Sequence, residues 1–244
     1  MSSTNLSEPK RSSTTRSVFD GRTLSGPVDF EYELTGPKRG ADRAVLLAHG
    51  AGADMHAVTL TVFSEALAGA GIPTMRFNFA YKAAGRGAPP KAPALEAELR
   101  RARDELAKRT KLSVERIVVG GRSMGGRIAS MVAAVDGALG VALLAYPLHP
   151  PGRPEARRVA HFGGLAMPIL FVSGTRDAFG SPAELEAEVE AIPGAVTWHW
   201  IETADHGFRP LKKLTGLTTE QALVPAAAAL AAWVASLGGT QPLR

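Results

Sequence analysis

The 244-residue sequence predicts an α/β fold: a doubly wound, mostly parallel sheet with no large cap domain. Three observations predict it. Short continuous apolar runs, such as Ala44-Val45-Leu46-Leu47-Ala48, suit strands buried on both faces, as in parallel sheets. Helical segments alternate with these runs from end to end. Neither a long polar linker nor an internal repeat interrupts the alternation, so residues 18–244 are expected to form one domain.

The elements follow in order. Residues 1–17, rich in Ser and Thr, are expected to be a disordered leader. Val28 to Leu34 alternates as a strand, and Gly36 to Gly40 reads as a turn. Ala44 to Ala48 is the second strand and ends in His49-Gly50-Ala51-Gly52. A helix over about Ala57 to Ala68 is closed by Gly69 and Gly71. Strand Thr74 to Phe79 leads through a Gly/Pro-rich loop (Lys82 to Pro93) into a charged helix, about Ala94 to Thr110. Strand Arg116 to Gly120 precedes a helix over Met124 to Val135. Strand Val141 to Ala145 opens a loop with Pro147, Pro150 and Pro151, too short as a whole (Pro147 to Met167) for a lid domain. Strand Ile169 to Ser173 leads to a helix start at Ser181, with Pro182 at its first position. Strand Val196 to Ile201 and a helix over Thr219 to Leu237 finish the chain, and Pro225 is expected to kink or split that helix.

Composition narrows the chemistry. Hydrophobic residues make up 45% of the chain and charged residues 21%, which argues against wholesale disorder. A compact chain of this length buries roughly 70–75% of its unfolded surface and requires no disulfide or metal staple. The absence of cysteine removes disulfide scaffolds, thiolate zinc sites, iron–sulfur clusters and cysteine nucleophiles together. No apolar run reaches the ~20 residues that span a bilayer, and the first residues hold no apolar core of a secretory signal. A cytoplasmic protein without a membrane partner is expected.

The net charge of +5 invites the thought of a nucleic-acid partner. The richest basic stretch, Leu95 to Arg116, nevertheless interleaves its Arg and Lys with Glu96, Glu98, Asp104, Glu105 and Glu115. Leu95, Leu99, Ala102 and Leu106 recur at helical spacing, so the charges are expected on the opposite, solvated face. A nucleic-acid binder would cluster its cations with a recognition motif or stacking aromatics, and neither is visible. A small-molecule substrate is the expected partner, with no nucleic acid, no cofactor and no metal; no oligomer interface stands out.

The chemistry concentrates after the strands, where such sheets bind their ligands. Gly121-Arg122-Ser123-Met124-Gly125 is a G-x-S-x-G motif lying directly between a strand and a helix, the context of a nucleophile elbow. A sharp strand-to-helix turn leaves no room for Cβ atoms at Gly121 and Gly125 and turns the serine outward. Ser123 is therefore the expected nucleophile. A phosphate-binding loop would carry G-x-x-x-x-G-K-[ST] or G-x-G-x-x-G, and neither occurs. Serine is a weak nucleophile and needs a base held by a carboxylate. His206 lies in the loop after the last strand, and Asp177 in the loop after the strand before it. Asp205 competes as the acid, but an immediate neighbour of the base rarely points at its Nδ1. The oxyanion hole is expected from the amides of Met124 and Ala51, with Gly52 the alternative to Ala51. His49 is expected to pack within its loop.

The segments LLAHGAGADMH, MRFNFAY, GGRSMGGRIAS, SGTRDAFG and ADHGF, in that order, resemble the small α/β-hydrolases. That family includes testis-expressed protein 30 and bacterial hydrolases related to dienelactone hydrolase, and the hydrolase domain of the third regulatory subunit of the NSL histone acetyltransferase complex is similar. The resemblance runs from about Val28 to Trp233. It implies the α/β-hydrolase fold, a Ser-His-Asp triad and an esterase-like activity. Relatives of dienelactone hydrolase can use a cysteine nucleophile, whereas this chain has only serine to offer.

Substrate contacts are expected from Arg122, Tyr81 and His149, all after strands. Arg86, Arg127, Arg153, Arg176 and Arg209 also fall near the carboxyl edge, where they either meet an anionic group or pair with nearby carboxylates. A rival reading is a non-catalytic interaction or scaffold module on the same fold, because fold does not fix function. The complete serine, acid and base set favours an enzyme.

Overall fold

Residues 17–19, 30–37 and 39–238 are described by the computed structural model. The expected leader lies outside them except for Ser17. Among the described residues eight strands form one sheet, in the order β1-β2-β4-β3-β5-β6-β7-β8. They are β1 (Ser17–Phe19), β2 (Phe30–Thr35), β3 (Ala44–Ala48), β4 (Thr74–Phe77), β5 (Ile117–Arg122), β6 (Gly140–Leu144), β7 (Ile169–Gly174) and β8 (Val196–Ile201). β3 to β8 run parallel, and the two edge pairings β1–β2 and β2–β4 are antiparallel. The principal helices are α1 (Val58–Gly69), α2 (Ala80–Ala83), α3 (Ala92–Thr110), α4 (Met124–Asp136), α5 (Pro182–Glu188), α6 (Lys212–Thr215) and α7 (Thr219–Ser236). No helix among the described residues is long and apolar enough to cross a membrane.

The period of two along a strand divides the core. Leu46 of β3 joins Met75, Phe77, Leu99, Ile128 and Phe171 beneath α3 and α4. Its neighbours Val45 and Leu47 join Phe63, Leu67, Leu170 and Leu230 beneath α1 and α7. All five residues of β3 are buried, as its uninterrupted apolar sequence requires.

Three expectations change. β4 stops at Phe77, because the Asn78 side chain accepts from the Met55 amide and donates to Glu31, turning the chain into α2. Helix α7 is continuous through Pro225. Pro225 lies at an exposed position, and a Thr218–Gln221 capping box holds the N-terminus. On α3 the charges are not all solvated: Arg103 is buried, and its guanidinium meets Asp136 of α4 at 3.1 Å. Arg100 also reaches Asp136, at 2.8 Å, and Glu98 accepts the Ala80 amide, whereas Arg101, Asp104, Lys108 and Arg109 are exposed as expected, with Arg109 pairing with Glu105 one turn away.

Candidate active site

Close packing builds the turn that carries Ser123. A Cβ at Gly121 or at Gly125 would collide with the carbonyl oxygen of Ala48, so β5 and α4 approach β3 only because both positions are glycine. Between them Ser123 is held at φ 51°, ψ −116°, a conformation that a side chain adopts only under constraint. Its amide bonds to the Leu144 carbonyl at 2.8 Å, which locks the elbow onto β6.

Ser123 Oγ lies 2.9 Å from His206 Nε2, and His206 Nδ1 lies 2.8 Å from Asp177 Oδ2. Asp177 is only 4% exposed, and its other oxygen accepts the Phe179 amide at 2.8 Å. Both carboxylate oxygens are thereby occupied, so the one facing His206 is fixed. With Asp177 accepting at Nδ1, Nε2 is left to accept from the serine hydroxyl. Asp205, the competing acid, is turned away. It accepts from the amides of Gly207 and Arg209 and pairs with the Arg209 guanidinium, capping its own turn.

Two contacts around the imidazole went unforeseen. The Phe179 ring stacks on His206, with centroids 3.9 Å apart and planes inclined by 24°. An aromatic two residues beyond the candidate acid was the available signal. Arg122 donates from Nη2 to the His206 carbonyl at 2.9 Å. Its other nitrogen, Nη1, would lie 3.3 Å from a Cβ at Gly50, so the guanidinium fills the space above the loop after β3. Burial lowers its pKa from the ordinary guanidinium value, opposed by Asp177 and Asp205. The expected substrate residue is thus engaged in bracing the histidine loop.

The other expected site residues are distributed around this centre. Met124 opens α4, and neither its amide nor that of Ala51 has a hydrogen-bond partner among the described residues. Tyr81 is buried and donates to the Ala51 carbonyl at 2.8 Å, supporting the loop from behind. Burial, with Glu98 nearby, pushes its hydroxyl pKa up to about 12. His49 packs as expected, donating from Nδ1 to Gly50 O and accepting the Phe79 amide at Nε2. Burial pulls it below the usual imidazole value. His149 is buried, with Nδ1 on Pro150 O and Nε2 3.2 Å from Glu184. Its amide bonds to the Phe179 carbonyl, so it reaches the centre through that ring's backbone. Arg153 pairs with Glu155, Arg176 reaches the Thr203 carbonyl, and Arg86 lies in a separate groove beside α2 and α3.

A mostly parallel sheet carrying a strained serine between β5 and α4, with acid and histidine after β7 and β8, defines an α/β-hydrolase. This chain belongs to the alpha/beta hydrolase domain family, whose model matches residues 41–235. Its fold is similar to that of a serine hydrolase homologue from Coxiella burnetii (23% identity, TM-score 0.65, 83% of this chain and 94% of that one). Dienelactone hydrolase from Anabaena variabilis is similarly related (21%, TM-score 0.66, 90% and 95%). So is a lidless serine hydrolase from Xanthomonas campestris (20%, TM-score 0.64, 94% and 98%).

Proposed function

We propose that the protein is a serine hydrolase that cleaves an ester or thioester of a small soluble substrate through an acyl-enzyme. The observation that carries this reading is the unbroken line from Ser123 Oγ through His206 to Asp177, at 2.9 and 2.8 Å. His206 takes the serine proton as Oγ attacks the carbonyl carbon. Asp177 holds the tautomer and stabilises the imidazolium. The amides of Met124 and Ala51 receive the oxyanion, each contributing about 3–4 kcal/mol to the transition state. Nε2 then returns the proton to the leaving group, and water, with His206 again as base, releases the acid. The carboxylesterase-like assignment is supported by the family membership and the lidless loop after β6. A cytoplasmic setting is part of the same proposal, as is the narrower kinship with testis-expressed protein 30, which the GGRSMGGRIAS segment supports.

Steady-state hydrolysis of p-nitrophenyl acetate by Ser123→Ala tests the reading. A fall of about 10⁶ in kcat with an unchanged melting curve is expected. A variant as active as wild type would overturn it.

A further inference from the structure

Three half-buried arginines form no ion pair among the described residues: Arg122, Arg127 and Arg158. Arg122 braces the histidine loop within the field of Asp177 and Asp205. Arg127 and Arg158 lack such a counter-charge. Burial and the Arg127 cation pull the Arg158 pKa down, and Tyr146, not a carboxylate, opposes them. Arg127 Nε is sealed from solvent and has no hydrogen-bond partner among the described residues. The Arg158 guanidinium makes one bond, from Nη1 to the Pro147 carbonyl at 3.3 Å. Its backbone is pinned on both sides. The amide donates to the Leu148 carbonyl at 2.9 Å, and the carbonyl accepts from the buried Tyr146 hydroxyl at 2.6 Å. Two neighbouring cations, partly desolvated and without an acid, repel each other, an arrangement that an anion from outside completes.

The pair lies beside the candidate nucleophile. Ser123 is the N-cap of α4, and Arg127 stands four residues on, its amide bonded to the Ser123 carbonyl at 3.0 Å. Residues four apart share a helix face, and helical side chains lean toward the N-terminus. The Arg127 side chain therefore rises toward Ser123 across ~6 Å of helix. Arg127 also acts on Tyr146, two residues beyond the Leu144 carbonyl that anchors the Ser123 amide. Resting on the hydrolase reading, we propose that Arg127 and Arg158 form a subsite for a carboxylate on the acyl half of the substrate, so that the enzyme favours half-esters of dicarboxylic acids. The half is set by the two layers of the fold. Ala204 and Phe208 of the histidine loop pack into the core beneath α1 and α7, whereas Tyr146 and Phe162 pack beneath α3 and α4. Nε2 of His206 must reach the leaving oxygen, so the alcohol departs on the α1 and α7 side and the acyl chain extends toward α4. Planar guanidinium groups suit a carboxylate, the form in which an acyl chain carries negative charge.

The test compares p-nitrophenyl hydrogen glutarate with p-nitrophenyl methyl glutarate, which share a leaving group and an acyl chain and differ by one charge. In wild type kcat/KM is expected to favour the anion by at least about tenfold. That ratio is expected to fall to near one in Arg127→Gln and by at least about threefold in Arg158→Gln. Arg127→Lys, which keeps the charge but not the fork, should retain part of it. Arg101→Gln, which removes an exposed cation of α3, should leave it as in wild type. Calorimetric titration with glutarate itself reads the subsite without turnover. Saturable binding to wild type, lost in Arg127→Gln, is expected. A flat ratio from an enzyme that cleaves the methyl ester would overturn the subsite alone, as would a preference indifferent to both arginines. So would an anion preference confined to the leaving group, seen as faster cleavage of 4-acetoxybenzoate than of its methyl ester. Glutarate bound equally by Arg127→Gln, or by neither protein, would do the same. Absence of all ester cleavage would remove the hydrolase reading, and the titration would then decide the arginine pair by itself.

Discussion

The guanidinium of Arg122 and the carbonyl of His206, 84 positions apart in sequence, are joined by a 2.9 Å hydrogen bond. Arg122 is the residue before the candidate nucleophile, so the bond ties the serine turn directly to the loop carrying the base. It also spans the Gly50 region of the loop after β3.

Removing this brace should loosen the Ser123–His206 distance without touching the substrate. For Arg122→Ala the expected outcome is a fall in kcat of about 10- to 100-fold with KM little changed. Arg122→Lys, which keeps a donor but not the fork, should recover part of that loss. Steady-state kinetics on one ester separates the two constants. A rise in KM for anionic esters alone would instead place the arginine in substrate binding.

The choice between two aspartates is equally testable. Asp177 faces His206 Nδ1, whereas Asp205 caps its own turn. Asp177→Asn should lower kcat by about 10⁴, because the amide can present its nitrogen and stabilise the wrong imidazole tautomer. Asp205→Asn keeps an acceptor for the Gly207 and Arg209 amides and should stay within a few-fold of wild type. The paired kinetic comparison checks the assignment, and the reverse order of severity would contradict it.

Acid sensitivity has a definite origin in the fold. The hydroxyl of Ser130 donates to the Arg127 carbonyl at 2.8 Å, so the 2.8 Å contact with His161 makes Nε2 of that ring a donor. Burial, helped by the nearby Arg127 cation, lowers the His161 pKa to about 4. An unfolded imidazole takes its proton near pH 6.5. Between that value and about 4 the unfolded chain binds the extra proton and the folded one does not, so stability falls as pH falls through this window. The loss attributable to His161 is about 2–3 kcal/mol at most. Urea denaturation at pH 7 and pH 4.5 should show a smaller difference in His161→Gln. His49, lowered in the same direction by burial, leaves part of the slope in place.

The sequence made the framework legible where local pattern and tertiary environment agree. Ala44–Ala48 reads as a doubly buried strand because no polar residue interrupts it, and the burial of all five residues has that cause. The elbow was readable because Gly121 and Gly125 exclude Cβ atoms for a local steric reason. Ser123, His206 and Asp177 could be paired because each follows a strand at the same sheet edge. What escaped depends on three-dimensional neighbours. Asn78 ends β4 through side-chain bonds to Met55 and Glu31, partners distant in sequence. The bond from Arg122 to the His206 carbonyl was not legible, since nothing local points the guanidinium there. Pro225 was expected to kink or split α7; the split does not occur, and the proline lies on an exposed position of a helix that continues through it.

In the proposed mechanism Ser123 is a nucleophile activated by His206. The most direct test is reaction of the folded protein with a fluorophosphonate, followed by mass spectrometry of the peptides. A single stoichiometric adduct on Ser123 is expected, absent in Ser123→Ala and strongly slowed in His206→Ala. Folded wild-type protein that stays unlabelled, or that carries the adduct on another residue, would contradict it.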